Sequence, residues 1–186
     1  MDLPLWLAFV AASAALLVIP GPSMLLVMSY ALSQGRRVAV ASASGVALGD
    51  VVAMTASLAG LGALVLASAT LFTILKWIGA AYLIWMGVKL WRSAGTMDLG
   101  GARSDGDVSA REVFGHAAVV TALNPKSIVF FIAFVPQFLR PEAALLPQFA
   151  ILIATFVTLA IVNALAYALL ADRLRRGLRR PGALRA

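Results

Sequence analysis

Cysteine, histidine and charged residues are scarce in this 186-residue chain. It has no cysteine, one histidine, and only 12% charged residues. The lack of cysteine excludes disulfides, thiolate metal sites and thiol redox chemistry. A soluble domain has about 45–50% apolar residues, whereas 62% of this chain is hydrophobic. This composition excludes a disordered chain, a coiled coil and an ordinary soluble enzyme, and it indicates a single transmembrane domain over residues 1–186.

The charged residues divide the chain into five long apolar runs. A helix of about 20 apolar residues crosses the hydrocarbon core of a bilayer. The runs are continuous and do not alternate with polar residues, which favours helices over the strands of a membrane barrel. We therefore predict an all-α fold, a polytopic membrane helix bundle with five spans, at about 4–31, 39–66, 70–91, 113–138 and 144–171.

Basic residues are distributed unevenly between the two ends of these predicted spans. Twelve of the fifteen lysines and arginines would lie on one side, two on the other, and Lys126 within a span. Cytoplasmic segments carry the excess of basic residues. We therefore predict an N-terminus outside, and a flexible loop (93–111) and a basic tail (172–186) in the cytoplasm. The tail is expected to contact anionic lipid headgroups, not nucleic acid.

Two predicted spans are interrupted by proline. The first contains Pro-Gly-Pro at 20–22 and the fourth contains Asn-Pro-Lys at 124–126. Proline removes a helix hydrogen bond. At about 1.5 Å per residue, both breaks and Asp50 lie about 20 Å from the cytoplasmic ends of their spans. The two interrupted spans would cross in opposite directions, which is typical of transporters built as inverted repeats.

Asp50 is the only carboxylate within any span, and Lys126 is the only cation near its depth. A charge at the bilayer centre costs about 2.5–3.5 kcal/mol on insertion scales, so such a residue normally faces a partner or a wet cavity. Asp50 would carry a proton or bind a substrate ammonium group, and Lys126 would pair with Asp50 or attract a substrate carboxylate. The alternative is a buried ion pair that only orients two helices.

The predicted substrate- or proton-binding site therefore combines the two charges with the residues of the two breaks. Its members are Asp50, Lys126, Asn124, Pro125, Pro20, Gly21 and Pro22. No catalytic residue, metal ligand or cofactor is predicted.

Other motifs are expected to serve packing and helix ends. Gly45 and Gly49 form a G-x-x-x-G motif, which allows two helices to approach closely. Ser109 and Glu112 form a capping box at the start of the fourth span. His116, near the inner end of that span, is expected to be structural and not a proton relay.

Four stretches carry a resemblance to a known family. They are IPGPSMLLVMSYALSQGRR (19–37), GVALGD (45–50), KWIGAAYLIWMGVKLWR (76–92) and TALNPKSIVFFIAFVPQF (121–138). In this order they resemble the LysE/RhtB family of bacterial amino-acid exporters, over essentially the whole chain. The resemblance implies a proton-driven exporter of neutral or basic amino acids, or of homoserine and threonine. It also implies a multi-pass protein of the bacterial cytoplasmic (inner) membrane.

Members of that family usually continue into a sixth hydrophobic segment, so this chain resembles a 3+3 inverted repeat that lacks the last span. Either the chain is truncated before a sixth span, or it is a five-span variant completed by a partner. The second case would favour a homodimer.

Three classes of function are weighed. A secondary transporter is favoured, and the sequence has no ATP-binding P-loop, so an ion gradient would supply the energy. The alternative is a membrane structural or accessory subunit that needs a partner to complete the bundle. An enzyme is not predicted, because no paired carboxylates or Ser–His arrangement occur at the level of the membrane.

Overall fold

The structure, a computed structural model, describes residues 1–67, 69–93, 108–140 and 143–178. These ranges are helical and contain no strand, which confirms the predicted all-α bundle. The α-helices are α1 (Leu3–Val18), α2 (Pro22–Gln34), α3 (Arg36–Ala67), α4 (Ala69–Ser93), α5 (Ala110–Ala122), α6 (Pro125–Ala133) and α7 (Leu145–Leu178), and a 3-10 turn covers Val135–Phe138. Most of the predicted flexible loop and the end of the basic tail lie outside the described residues.

Two of these helices are long and apolar enough to cross a membrane. They are α3, over Arg36–Gly60, and α7, over Leu145–Ala171. Two bent pairs also meet this criterion if each pair is one span: α1 with α2, bent by 54°, and α5 with α6 and the 3-10 turn, bent by 43°. Helix α4 covers the third predicted span. Its crossing of the membrane, and the count of five spans, stay predictions.

The two bent pairs run in opposite directions. At one end, Asp2, which precedes α1, forms an ion pair with Arg140, which follows the 3-10 turn. At the other end, the hydroxyl of Tyr30 in α2 lies 3.1 Å from Nδ1 of His116 in α5. The start of the first pair therefore lies beside the end of the second. This antiparallel arrangement is the one that an inverted repeat requires.

Local sequence explains where several helices begin and end. Helix α2 ends at Gly35, whose φ of 84° lies in the left-handed region that favours glycine. Helix α5 begins with the predicted capping box: the Ser109 hydroxyl accepts from the Glu112 amide at 3.2 Å, and the Glu112 carboxylate accepts from the Ser109 amide. Asn124 is the N-cap of helix α6, and its side-chain oxygen accepts from the Lys126 amide at 3.0 Å.

The two larger buried cores of the bundle differ in composition: one is rich in aromatic residues and the other in alanine. The aromatic core includes Phe131 and Phe156, whose ring centroids lie 4.8 Å apart in an edge-to-face arrangement. Along α3, the alanine-rich core ends at Val46 and the aromatic core begins at Ala53. Asp50 therefore lies at the level between the two cores.

Helices α3 and α5 are in backbone contact at the predicted G-x-x-x-G motif. A Cβ atom added to Gly45 would lie 2.3 Å from the carbonyl oxygen of Phe114, and one added to Gly49 would lie 2.6 Å from that of Ala118. The predicted packing role of the two glycines is therefore confirmed. Because Gly49 precedes Asp50, this contact also sets the position of Asp50 against α5.

We expect Gly45→Ala to destabilise the protein by about 1–3 kcal/mol, the usual cost of forcing extra atoms into a packed interface. Gly60→Ala, in the same helix, is the matched control because no atom lies within 4 Å of its added Cβ. The measurement is thermal unfolding of the two purified variants in detergent. Equal melting temperatures would contradict this expectation, because they would show that α3 and α5 accommodate the added methyl group without loss of stability.

Candidate functional site

The break between α1 and α2 leaves a set of backbone carbonyls without their helical donors. In a continuous helix, the amides of residues 20–23 would donate to the carbonyls of residues 16–19. Pro20 and Pro22 have no amide hydrogen, so the carbonyls of Leu16 and Val18 lose their donors outright. Carbonyls left unsatisfied in a protein interior are costly, and other groups must supply the missing donors.

Lys126 supplies donors to two of these carbonyls. Its side-chain ammonium donates to the carbonyl oxygens of Leu16, at 2.7 Å, and Ile19, at 2.6 Å. Lys126 is only 7% exposed and is the second residue of α6. The cation of one broken span therefore caps the carbonyl end of the other.

Helix α7 supplies donors to the two carbonyls between them. The side-chain amide of Asn163 donates to the carbonyl oxygen of Leu17 at 2.9 Å. The hydroxyl of Tyr167 donates to that of Val18 at 2.8 Å. All four carbonyls at the end of α1 are therefore hydrogen-bonded by side chains from other helices.

Ser23, in the first turn of α2, joins this break to the one between α5 and α6. Its hydroxyl oxygen accepts from the hydroxyl of Thr121 at 3.0 Å and from the side-chain amide of Asn124 at 3.2 Å. Asn124 thus binds Ser23 with its nitrogen while its oxygen caps α6. The two breaks form one hydrogen-bonded unit.

A small cavity of about 30 Å³ lies between the two breaks, with room for a few water molecules. Its polar side chains come from α2, α3 and the region of the second break, and Gly21 of the first break also lines it. The polar side chains are Ser23, Asp50, Thr121, Asn124, Lys126 and Ser127. Apolar side chains of both cores, Val46 and Phe156 among them, complete the wall.

Asp50 lines this cavity without a protein partner. It is 3% exposed, and within the described ranges it makes no hydrogen bond and no ion pair within 4.0 Å. The direct pairing of Lys126 with Asp50 that we considered is therefore not formed, because the Lys126 ammonium binds the carbonyls of α1 instead. A buried carboxylate that lines a cavity and has no protein partner is available to a cation or a proton.

Comparison with known proteins assigns the family. The LysE type translocator model matches residues 14–186. The chain belongs to the LysE type translocator family. It is 38% identical to the homoserine/homoserine lactone efflux protein of Salmonella typhimurium, over 97% of this chain and 87% of that protein. It is 35% identical to an uncharacterized membrane protein of Vibrio cholerae, with the same coverage.

A third relative of this LysE-type translocator is the leucine efflux protein of an Enterobacter species. The two are 31% identical, over 73% of this chain and 64% of that protein. No solved structure matches the chain.

The predicted site residues of the translocator divide into two groups. Those that line the cavity are Gly21, Asp50, Asn124 and Lys126. The three prolines are not among the lining residues: Pro22 and Pro125 are exposed and Pro20 is half-buried. They shape the site through the hydrogen bonds that their backbones cannot make.

The residues that sequence reasoning missed in this LysE-type translocator are neutral and polar. Ser23, Thr121 and Ser127 line the cavity, and Tyr167 caps α1. A signal was present for Ser23, which directly follows Pro22, and for Thr121, which lies one turn before Pro125. Asn163 is marked in the sequence only as a polar residue within a span, able to line a pore or to hydrogen-bond to a neighbouring helix, and its bond to α1 is of the second kind. No signal marked Tyr167, because α7 carries no break and its contact with α1 is tertiary.

We expect Lys126→Met to lower the melting temperature more than Tyr167→Phe. The first change leaves two part-buried carbonyls without donors, at about 1 kcal/mol each, and the second leaves one that is exposed. Lys126→Arg, which keeps the charge and the donors, should recover part of the loss. Thermal unfolding of the three variants in detergent measures this order, and a Lys126→Met variant as stable as the unmodified protein would contradict it.

Proposed function

We propose that this chain is a secondary transporter that exports amino acids or close derivatives across the bacterial cytoplasmic membrane, driven by the proton gradient. Its membership of the LysE type translocator family supports transport. Two relatives are named for efflux of homoserine and its lactone and for efflux of leucine, which supports amino acids as the substrate class.

One observation indicates where the substrate would bind. Asp50 is buried and has no partner among the described residues, and it lines the cavity between the two breaks. Broken helices expose backbone groups that can bind a small polar solute inside a membrane protein. The carboxylate offers the negative charge that an amino acid's ammonium group needs. The ion-pair alternative, in which Asp50 and Lys126 only orient two helices, loses its support because they do not pair directly.

Proton coupling follows from competition at this single carboxylate. Asp50 would hold either a proton or the ammonium group of a substrate. A proton arriving from outside would displace the substrate there, and the proton-bound form would return to the inside. Inward movement of protons then drives outward movement of the amino acid, because one carboxylate does not hold both cations together.

The structure represents a closed state in this scheme, since the cavity holds only a few waters. Substrate entry requires the α1–α2 break to move away from α6. The backbone contact of α3 with α5 resists movement, so these helices would form the fixed part. Gly21 is the natural hinge: its lack of a side chain leaves the backbone free, and an added Cβ would lie 3.4 Å from Cδ of Lys126.

We expect Asp50→Asn to remove the response of amino-acid efflux to a pH gradient in proteoliposomes. Efflux should also fall by roughly tenfold or more, the loss expected for one hydrogen bond to a charged group. Asp2→Asn is the matched control, because Asp2 is well exposed in its pair with Arg140. An Asp50→Asn protein that inserts normally and keeps the rate and pH response of the unmodified protein would refute the site.

The orientation that we propose has Arg140 outside and the arginines at the start of α3 in the cytoplasm, where they would contact anionic lipid headgroups. Arg37 and Ala144 are both exposed, and they lie at opposite ends of the bundle. The chain has no cysteine, so single cysteines can be labelled selectively.

We expect a membrane-impermeant maleimide to label Ala144→Cys in intact cells, and to label Arg37→Cys only after the cells are permeabilised. The reverse pattern would invert the topology. Labelling of both in intact cells would show that the ends of the bundle are not on opposite sides.

A further inference from the structure

The Ser23 hydroxyl can donate a hydrogen bond into the cavity. Its oxygen accepts from the side-chain amide of Asn124, and the Thr121 hydroxyl donates to it in the arrangement that leaves the Ser23 hydrogen for a ligand. A serine hydroxyl has one donor besides these two acceptor positions. Ser23 is 5% exposed and lines the cavity, so a ligand oxygen there can accept this hydrogen.

The backbone amide of Ser23 is also free. Helix α2 begins at Pro22, and Gly21 provides no side-chain cap. The Gly21 carbonyl accepts from the amides of Met24 and Leu25, whereas the Ser23 amide donates to no described group. Free amides in the first turn, together with the positive end of the helix dipole, favour a bound anion.

The other groups of the cavity define the ligand. The Lys126 ammonium donates two of its three hydrogens to carbonyls at the end of α1. It therefore adds positive charge to the cavity but is held in place by α1. Asp50 offers only acceptors when it is ionised. The cavity therefore has a donor-rich end at Ser23 and an acceptor end at Asp50, which matches a molecule with one carboxylate and one ammonium group.

We infer that Ser23 binds the substrate carboxylate, through its hydroxyl and its amide, and that this transporter thereby distinguishes zwitterionic amino acids from amines without a carboxylate. The inference rests on the proposed function and deepens it. Thr121 and Asn124 act through Ser23: by occupying its lone pairs, they turn its hydrogen toward the substrate.

The test compares two substrate pairs in proteoliposomes: leucine with leucinamide, and homoserine with homoserine lactone. In each pair the second compound keeps the amino group and lacks the carboxylate. For Ser23→Ala we expect KM for leucine and homoserine to rise roughly tenfold or more, the effect of losing one hydrogen bond to a charged group. KM for the amide and the lactone should show no comparable rise.

Ser33→Ala is the matched control, since Ser33 lies in the same helix, is exposed, and donates to the carbonyl oxygen of Ser29. It should leave all four KM values unchanged. Ser23→Cys keeps a weaker donor and should raise KM for the two amino acids by a smaller factor. This variant replaces Ser23→Ala in the test if the alanine variant does not insert into the membrane. A lower amount of folded protein reduces the maximal rates without producing a difference within a pair.

Equal rises in KM for the amino acid and its carboxylate-free partner would overturn the assignment, because they would show that Ser23 acts on the structure and not on the carboxylate. If the unmodified protein still exports leucine with saturable kinetics, that result would overturn only the role of Ser23 and not the proposed function. Failure of the unmodified protein to export any of the four compounds would overturn both.

Discussion

The bundle depends on the hydrogen bonds that satisfy the end of α1. Two prolines remove the donors of the Leu16 and Val18 carbonyls in a region where lipid provides no replacement. Lys126, Asn163 and Tyr167 restore hydrogen bonds to four successive carbonyls. A break that would be prohibitive in an isolated helix is therefore stable only when α6 and α7 are in place. This requirement ties α1 to α6 and to α7.

The same hydrogen bonds decide what is left for a ligand. Because Lys126 is held by α1, it does not neutralise Asp50, and the carboxylate stays open to the cavity. Because Thr121 and Asn124 occupy the Ser23 oxygen, the hydroxyl hydrogen is left over. Asp50 and Ser23 line the same small space, whereas the buried hydroxyls of Ser13 and Ser42, which also have no partner among the described residues, lie outside it. In this arrangement some atoms make the hydrogen bonds that hold the helices together, and neighbouring atoms are left for the ligand that we propose.

The division between rigid and movable parts follows the side-chain sizes. Glycine at positions 45 and 49 brings α3 into backbone contact with α5, and an added methyl group would collide there. At Gly21 the surroundings are looser, and the contact across the break is made by the long side chain of Lys126. Long side chains can keep hydrogen bonds while the backbone shifts, whereas backbone contacts cannot. Movement is therefore expected at the α1–α2 break.

Sequence by itself determined the helical class, the family resemblance and the level of the site. Hydrophobic length, proline position and isolated charges act locally along the chain, so counting residues placed Asp50 near both breaks. The tertiary structure alone decided which groups pair. Whether Lys126 meets Asp50 or the carbonyls of Leu16 and Ile19 depends on how α6 lies against α1, and the roles of Asn163 and Tyr167 depend on the face that α7 presents. These hydrogen bonds join residues more than a hundred positions apart. No periodicity or spacing in the sequence indicates such pairs, because they depend only on how the helices pack.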